Sequence, residues 1–236
     1  MGFRRGKSNP CLYYNKQSGI QVLVHGDDFA SVGYRTAIME FRKQLGKRSE
    51  LKTTVVGMHP SGQQETRILN RNIRVGEDGM QYEADQRHVD IILIMLQLTN
   101  SNSLSTLGGK RKPWEEEGDK VVLDQQRSNL HRRVAARMDY LVADRPDIIH
   151  ATKEICRIMS SPDVEAWRKM KKLGRYLKGR PRTIVNYQWQ GTQEELQVYT
   201  DSDRAGCKKT AKSTSGLSLT IGQHWLKAWP VHNKQS

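Results

Sequence analysis

Cysteine is scarce in this sequence: Cys11, Cys156 and Cys207 are the three in 236 residues. They lie far apart and fit neither a zinc spacing nor a disulfide framework, which points to a reducing compartment. Long apolar runs are missing as well. The longest, Val89–Leu98, is broken by Asp90 and Gln97 and is too short to span a bilayer. The basic N-terminus is followed by no apolar stretch, so no secretory signal is read. No basic amphipathic helix with a clean apolar face stands at either end, which argues against a membrane partner. The expected location is intracellular, in cytoplasm or nucleus, and not secreted. Histidines are scattered, with no His–x₃–His pair, which excludes the usual zinc spacings. Gly6-Lys7-Ser8 is no P-loop, because Gly2 is one residue too close and no strand precedes it. Hydrophobic residues are 36% of the chain, below the usual share, so the core is modest. Acidic residues are outnumbered by Lys and Arg, 25 to 39, for a net charge of +14. Such an excess attracts polyanions, nucleic acid before others.

The acidic residues that remain include one adjacent pair. Asp27 and Asp28 interrupt two apolar runs, Ile20–Val24 and Phe29–Val32, and Gly26 precedes them. The pattern predicts a strand–turn–strand hairpin with a doubly acidic tip. Two carboxylates at 4 Å repel by about 1 kcal/mol in water and by more where water is thin. A divalent cation removes that cost, and Mg²⁺ suits one or two carboxylates combined with phosphates and water. An ordinary acidic turn is the plainer alternative.

Along the chain, Ala37–Leu45 reads as a helix with Ile38, Phe41 and Leu45 on one face. Thr66–Val75 reads as a strand, Gly76–Gly79 as a turn and Met80–Tyr82 as the returning strand. Ala84–Leu98 reads as a helix, and 99–118 as a linker. Helices are expected over Ser128–Val142, Pro146–Met159 and Pro162–Lys178. On the last, Arg168, Lys171, Lys172, Arg175 and Lys178 share one face, and no acid follows Glu165. A solvated face would look the same, but a row of cations without acidic partners suits phosphate contacts. Thr183–Trp189, Leu196–Thr200, Ser218–Ile221 and His224–Trp229 read as strands. Trp225 and Trp229 are placed on one face, as core.

Several segments resemble the pol polyprotein of copia-type LTR retrotransposons. They are Asn9–Tyr13 followed by VHGDDF, Tyr140–Ile148 (YLVADRPDI), Met159–Pro162 with Trp167 and Arg175–Gly179 (RYLKG), and Tyr199–Asp203 with Ala205–Cys207 and Lys212–Gly216 (KSTSG). His25-Gly26 stands where the family carries Tyr-Val before the acidic pair. The resemblance implies an α+β fold in three parts: a partial reverse-transcriptase palm over 1–98, a helical thumb and connection over 119–190, and the start of an RNase H-like sheet over 194–236. It implies RNA-directed DNA synthesis with two Mg²⁺ ions, Asp27 and Asp28 as catalytic metal ligands, and Asp201 as a ligand of the RNase H site. The implied partners are an RNA or DNA template–primer and a deoxynucleotide, with the five cations of the basic helix holding the duplex. The family places a further catalytic Asp upstream of its acidic hairpin, and a Glu and another Asp beyond the segment resembled by Asp201. The expectation is therefore a truncated reading frame, inactive alone and in need of the missing pol segments. A non-catalytic nucleic-acid-binding remnant and an unrelated metal-dependent hydrolase are the alternatives.

Overall fold

In the computed structural model, residues 2–107, 121–202 and 213–232 are described. The chain divides into two compact units, Met1–Val55 with Ser61–Gln63, and Val56–Pro60 with Gln64–Ser236.

The first unit is an antiparallel sheet of β1 (Arg4–Arg5), β2 (Leu12–Tyr14), β3 (Gln21–His25) and β4 (Asp28–Val32), in that order, followed by helix α1 (Arg35–Gly46). Pairing of β3 with β4 runs from Gln21↔Val32 to His25↔Asp28 and leaves Gly26-Asp27 as a two-residue loop. Gly26 has φ 63° and Asp27 has no positive φ. A left-handed residue at the first loop position alone is the type II′ pattern, which matches the twist of the strands. The expected acidic hairpin is therefore present. Ile38, Phe41 and Leu45 on α1 are partly covered, and Phe41 meets Phe3 with ring centroids 5.1 Å apart. Among the described residues of this unit, Ile20 and Val22 are the buried hydrophobics.

The second unit holds two further antiparallel sheets and four helices among its described residues. One sheet is β5 (Glu65–Ile68), β6 (Arg71–Gly76), β7 (Gly79–Glu83) and β8 (Ile184–Gln188), in that order. The helices are α2 (Arg87–Met95), α3 (Gln125–Val142), α4 (Ile149–Cys156) and α5 (Val164–Gly179), with a 3₁₀ turn at Pro146–Ile148. The other sheet is β9 (Leu196–Ser202), β10 (Thr214–Ile221) and β11 (His224–His232), in the order β11-β10-β9. Asp124 caps α3 by accepting from Arg127 N at 2.8 Å, and Asp163 caps α5 by accepting from Ala166 N at 2.7 Å. The core is built from Val89, Ile92, Leu93, Leu96 and Leu98, from Val134, Ala135, Met138 and Leu141 on α3, and from Met170, Leu173 and Leu177 on α5. Ile148, Ile155 and Tyr176 complete it.

Five expectations are corrected. The strand expected over Thr66–Val75 is two strands, because Leu69 (φ 47°) and Asn70 (φ 67°) form a left-handed turn between Ile68 and Arg71. A type I′ loop usually announces itself with Gly, and Leu-Asn hides it. The helix expected over Pro146–Met159 is a 3₁₀ turn followed by α4, which ends at Cys156. Residues 99–107 are no free linker, since Leu104 N donates to the Arg175 carbonyl at 3.0 Å; 108–118 lie outside the described residues. The strand assigned to the helical 119–190 region pairs with β7, Met80↔Tyr187 and Tyr82↔Val185, and so completes the sheet begun at Glu65. The compact units divide near residues 55–64, where the sequence suggested 99–118.

The tryptophans differ too. Lys227 pairs with Leu219 but Trp225 pairs with Thr220, so Leu226 is an extra residue in β11. This bulge reverses the alternation. Trp229 stands with Leu217 and Thr200 on one face, and Trp225 with Thr220 and Gln197 on the other. Trp229 is 37% exposed and is not core.

The β7–β8 pairing depends on Gly79, which sits opposite Gln188. A Cβ at residue 79 would collide with the Tyr187 carbonyl, which is backbone and cannot swing away. Gly79→Ala is expected to cost about 2–3 kcal/mol of stability, read as a lowered urea midpoint. An unchanged midpoint would mean that β8 is not bound at this register.

Candidate nucleic-acid interface

Charge in the second unit is sorted into two populations. The first is internal, and there arginines saturate carboxylates. Glu83 accepts from Arg182 Nε at 2.5 Å and from Arg74 at 2.8 Å, and these contacts pull its carboxyl down to about 2. Asp85 is held low by Arg87, which donates from Nη2 at 2.7 Å. Asp144 accepts from Arg71 Nε at 3.0 Å and from the Tyr82 hydroxyl at 2.5 Å. Burial and this bond push the Tyr82 phenol up. Arg145 is 1% exposed and grips Asp147 with two parallel bonds of 2.9 and 2.7 Å. Tyr176 of α5 donates its hydroxyl to the same carboxylate at 2.9 Å. These bonds lock the Tyr140–Ile148 segment onto α5 and the β6–β7 hairpin. The sequence alone assigns the residues of that segment no role. The signal lay in Asp144-Arg145-Pro146-Asp147, where alternating charge around a proline marks a turn that pairs with itself.

The second population is the outward face of α5. Arg168, Lys171 and Lys172 are exposed there. Arg168 and Lys169 lie 3.9 Å from Glu165, too far for a strong pair. Lys171 stands over the Trp167 ring at 5.8 Å. The other two members of the expected row do different work. Arg175 Nε donates to the Asn102 carbonyl at 2.7 Å, and Lys178 Nζ donates to the carbonyls of Thr99 at 2.5 Å and Ser101 at 2.6 Å. These two cations bind the 99–104 strap to α5, so the row of five reduces to an exposed group of three. Arg133 on α3 is also exposed.

The candidate carboxylates are placed as follows. Asp27 fills the second position of the β3–β4 loop, and Asp28 opens β4 opposite His25; both are exposed. Asp201 is exposed on β9, opposite Gly216 of β10. Asp27 and Asp28 belong to the first unit, and Asp201 and the α5 cations to the second. Asp203, Ala205–Cys207 and Lys212 lie outside the described residues. Among the described residues no group of three His, Cys, Asp or Glu side chains could hold a metal ion. The donor set present is two carboxylates at a solvent-exposed tip, which does not fit a resident Mg²⁺ cage. The cleft lined by Pro146, Asp147 and Gly179–Ile184 is open, and Asp147 and Arg182 within it are already committed to Arg145, Tyr176 and Glu83. No described helix is long and apolar enough to cross a membrane.

The chain is 25% identical over 229 residues, 91% of its length, to the retrovirus-related Pol polyprotein from transposon TNT 1-94 of Nicotiana tabacum. The chain spans 16% of that tobacco polyprotein, so it matches a fragment of it. It is also 32% identical over 94 residues to the retrovirus-related Pol polyprotein from transposon RE1 of Arabidopsis thaliana, covering 40% of this chain and 6% of that protein. An uncharacterized mitochondrial protein of Arabidopsis thaliana is 33% identical over 93 residues, 39% of this chain and 38% of that one. No family model and no solved structure matches this chain.

Proposed function

We propose that this Pol-related chain binds nucleic acid through the outward face of α5, and that it corresponds to the later part of a reverse-transcriptase region running into the start of an RNase H region. The observation that carries the binding is the exposed group Arg168, Lys171 and Lys172, with Glu165 as the one acid on its helix. Such a group is free to exchange its counterions for phosphates. The net charge of +14 adds long-range attraction. The palm assignment is supported by the β3–β4 hairpin with its Asp27-Asp28 tip. The RNase H assignment is supported by three antiparallel strands with Asp201 on the first. Template–primer and deoxynucleotide are the partners this reading implies. Mg²⁺ would engage Asp27 and Asp28 only together with oxygen ligands from elsewhere, so the chain alone is inactive as a polymerase.

The test is the salt dependence of duplex binding, followed by fluorescence anisotropy. Each phosphate contact contributes about 0.9 to the slope of log affinity against log salt, so Arg168→Gln, Lys171→Gln and Lys172→Gln together should flatten it by roughly 2.7. Arg175→Gln and Lys178→Gln should instead loosen the strap, read as faster amide exchange at Leu104. A slope unchanged by the triple substitution would sink the assignment. Primer extension should give no product above an Asp27→Ala, Asp28→Ala control; carboxylate-dependent extension would overturn the inactivity.

A further inference from the structure

A second group of cations gathers in this unit, away from the outward face of α5. It is built from β5, β6 and the facing sides of α2 and α3. Arg67 and Arg87 both reach Asp85, with side chains 50% and 57% exposed. Arg71 is bound to Asp144. Arg137 of α3 differs from these three. It is half-buried, its Nη1 lies 3.5 Å from His88 Nδ1, and no carboxylate pairs with it among the described residues. Four arginines thus face two buried carboxylates, Asp85 and Asp144, and the group keeps a positive excess.

His88 stands among these cations. Its ring packs on Tyr140 with centroids 4.5 Å apart, and the Arg71 guanidinium lies 5.7 Å from the centre of the same Tyr140 ring. Burial lowers the His88 pKa; Asp85 opposes this, and Arg137, Arg87 and Arg71 reinforce it. A neutral ring accepts from Arg137 at Nδ1 and holds that guanidinium in place. Tyr140 is 44% exposed, and its hydroxyl has no partner among the described residues. Arg133, one turn before Arg137 on α3, is exposed as well. The acids within α2 and α3 are Asp90 and Asp139, both exposed. Burial and then Asp139 push the Cys156 thiol up to about 11, which places Asp139 on the α4 side of its helix.

We propose that Arg137, Arg87 and the Tyr140 hydroxyl form a subsite for a phosphodiester group of nucleic acid, with Arg133 as the next contact along α3. The assignment rests on the chain's binding nucleic acid but uses none of the α5 cations. A guanidinium presents paired donors that match two phosphate oxygens. Arg87 is already ordered by Asp85, so it loses little freedom on binding. Arg137 gives up one long contact to a ring nitrogen and gains a charge-assisted bond. From Arg133 to Tyr140 the helix rises about 10 Å, which is longer than one phosphate and suits a strand that carries several. A free phosphate or a single lipid headgroup would fill one end of that row. A bound phosphodiester offsets the arginines around His88, so the ring gains its proton at higher pH in the complex. Binding therefore tightens as pH falls through that range, while the phosphodiester keeps its charge.

The test uses the full 236-residue chain, freed of nucleic acid by nuclease, and a duplex oligonucleotide. Arg137→Gln should lower the slope of log affinity against log salt by about 0.9, and Arg137→Lys should restore most of it. Tyr140→Phe removes only the hydroxyl and should weaken binding about fivefold with the slope unchanged. Arg127→Gln, at the other end of α3, should bind like the parent. Histidine NMR supplies a readout that needs no variant: saturating duplex should raise the pH at which His88 titrates. The same rise is expected in the chain carrying Arg168→Gln, Lys171→Gln and Lys172→Gln. If that triple substitution leaves the salt slope unchanged while Arg137→Gln lowers it, the α5 assignment fails and the subsite stands. A slope untouched by Arg137→Gln, or a His88 titration that the duplex does not move, would overturn the subsite. So would equal affinity for polyglutamate or for phosphatidylserine vesicles at matched charge, because the group would then be a surface for anions at large.

Discussion

Replacing Arg145 with methionine is expected to lower the free energy of unfolding by about 3 kcal/mol, a large share of a domain's stability. Arg145 is among the largest fully buried side chains, and its guanidinium makes two bonds to Asp147. Methionine fills much of the volume but leaves the Asp147 carboxylate with Tyr176 as its remaining side-chain partner. Removing one member of a buried pair costs more than the pair contributes, because an uncompensated charge stays behind. Asp147 keeps some access to water, its side chain being 29% exposed, which holds the figure to the lower end of that range. Urea unfolding measures the difference. Arg127→Met is the control, since Arg127 and its partner Asp124 are both exposed and the change should matter little. A loss below about 1 kcal/mol in Arg145→Met would mean that the Tyr140–Ile148 segment is held by its apolar contacts alone.

Stability should fall in two steps as the solution is acidified. The first step belongs to His131. Its ring is wholly buried on α3, and neither nitrogen has a partner among the described residues. Burial lowers its pKa, Arg132 lowers it further, and Asp163 opposes both. The folded state therefore binds this proton less readily than the unfolded one, whose value is about 6.5. The neutral ring's contribution is complete above that pH and is lost as pH falls below it. His131→Leu should abolish this step and raise stability at neutral pH by about 1 kcal/mol, because it removes a polar ring that gains no bond on burial. The second step belongs to carboxylates held low by arginine. Glu83 is depressed to about 2, chiefly by Arg182 and then by Arg74. Asp85 is depressed by Arg87. Their contribution is present above about pH 4.5 and drains away as pH approaches 2, as protons bind the unfolded chain first. Denaturant midpoints across the pH range test both steps. A His131→Leu curve that stays parallel to the parent between pH 7 and 5 would show that His131 titrates alike in both states.

The sequence by itself determined the local elements whose signals are short-range. The acidic hairpin was legible because Gly26-Asp27 between alternating apolar residues allows one kind of turn. α3 and α5 were legible because apolar spacing and the sequence on either side set their extents within a few residues. Charge excess and the likeness to Pol polyproteins were equally a matter of composition and residue order. Tertiary structure decided what those elements do. Five cations on one helical face look equivalent in sequence, yet Arg175 and Lys178 face the carbonyls of Thr99, Ser101 and Asn102, while Arg168, Lys171 and Lys172 stay in solvent. A carbonyl that arrives from over seventy residues away in the chain leaves no periodic trace. The same holds for β8, whose partner β7 lies across the whole helical region, and for Arg145, which reads as a surface residue until Asp147 and Tyr176 close around it. Leu226 reversed the tryptophans through one extra residue in a ladder, a displacement that exists only once β10 and β11 are paired. Local sequence sets backbone preference because the interactions involved span a few residues. Burial, ion pairing and register are set by whichever distant segment arrives, and that was fixed by packing.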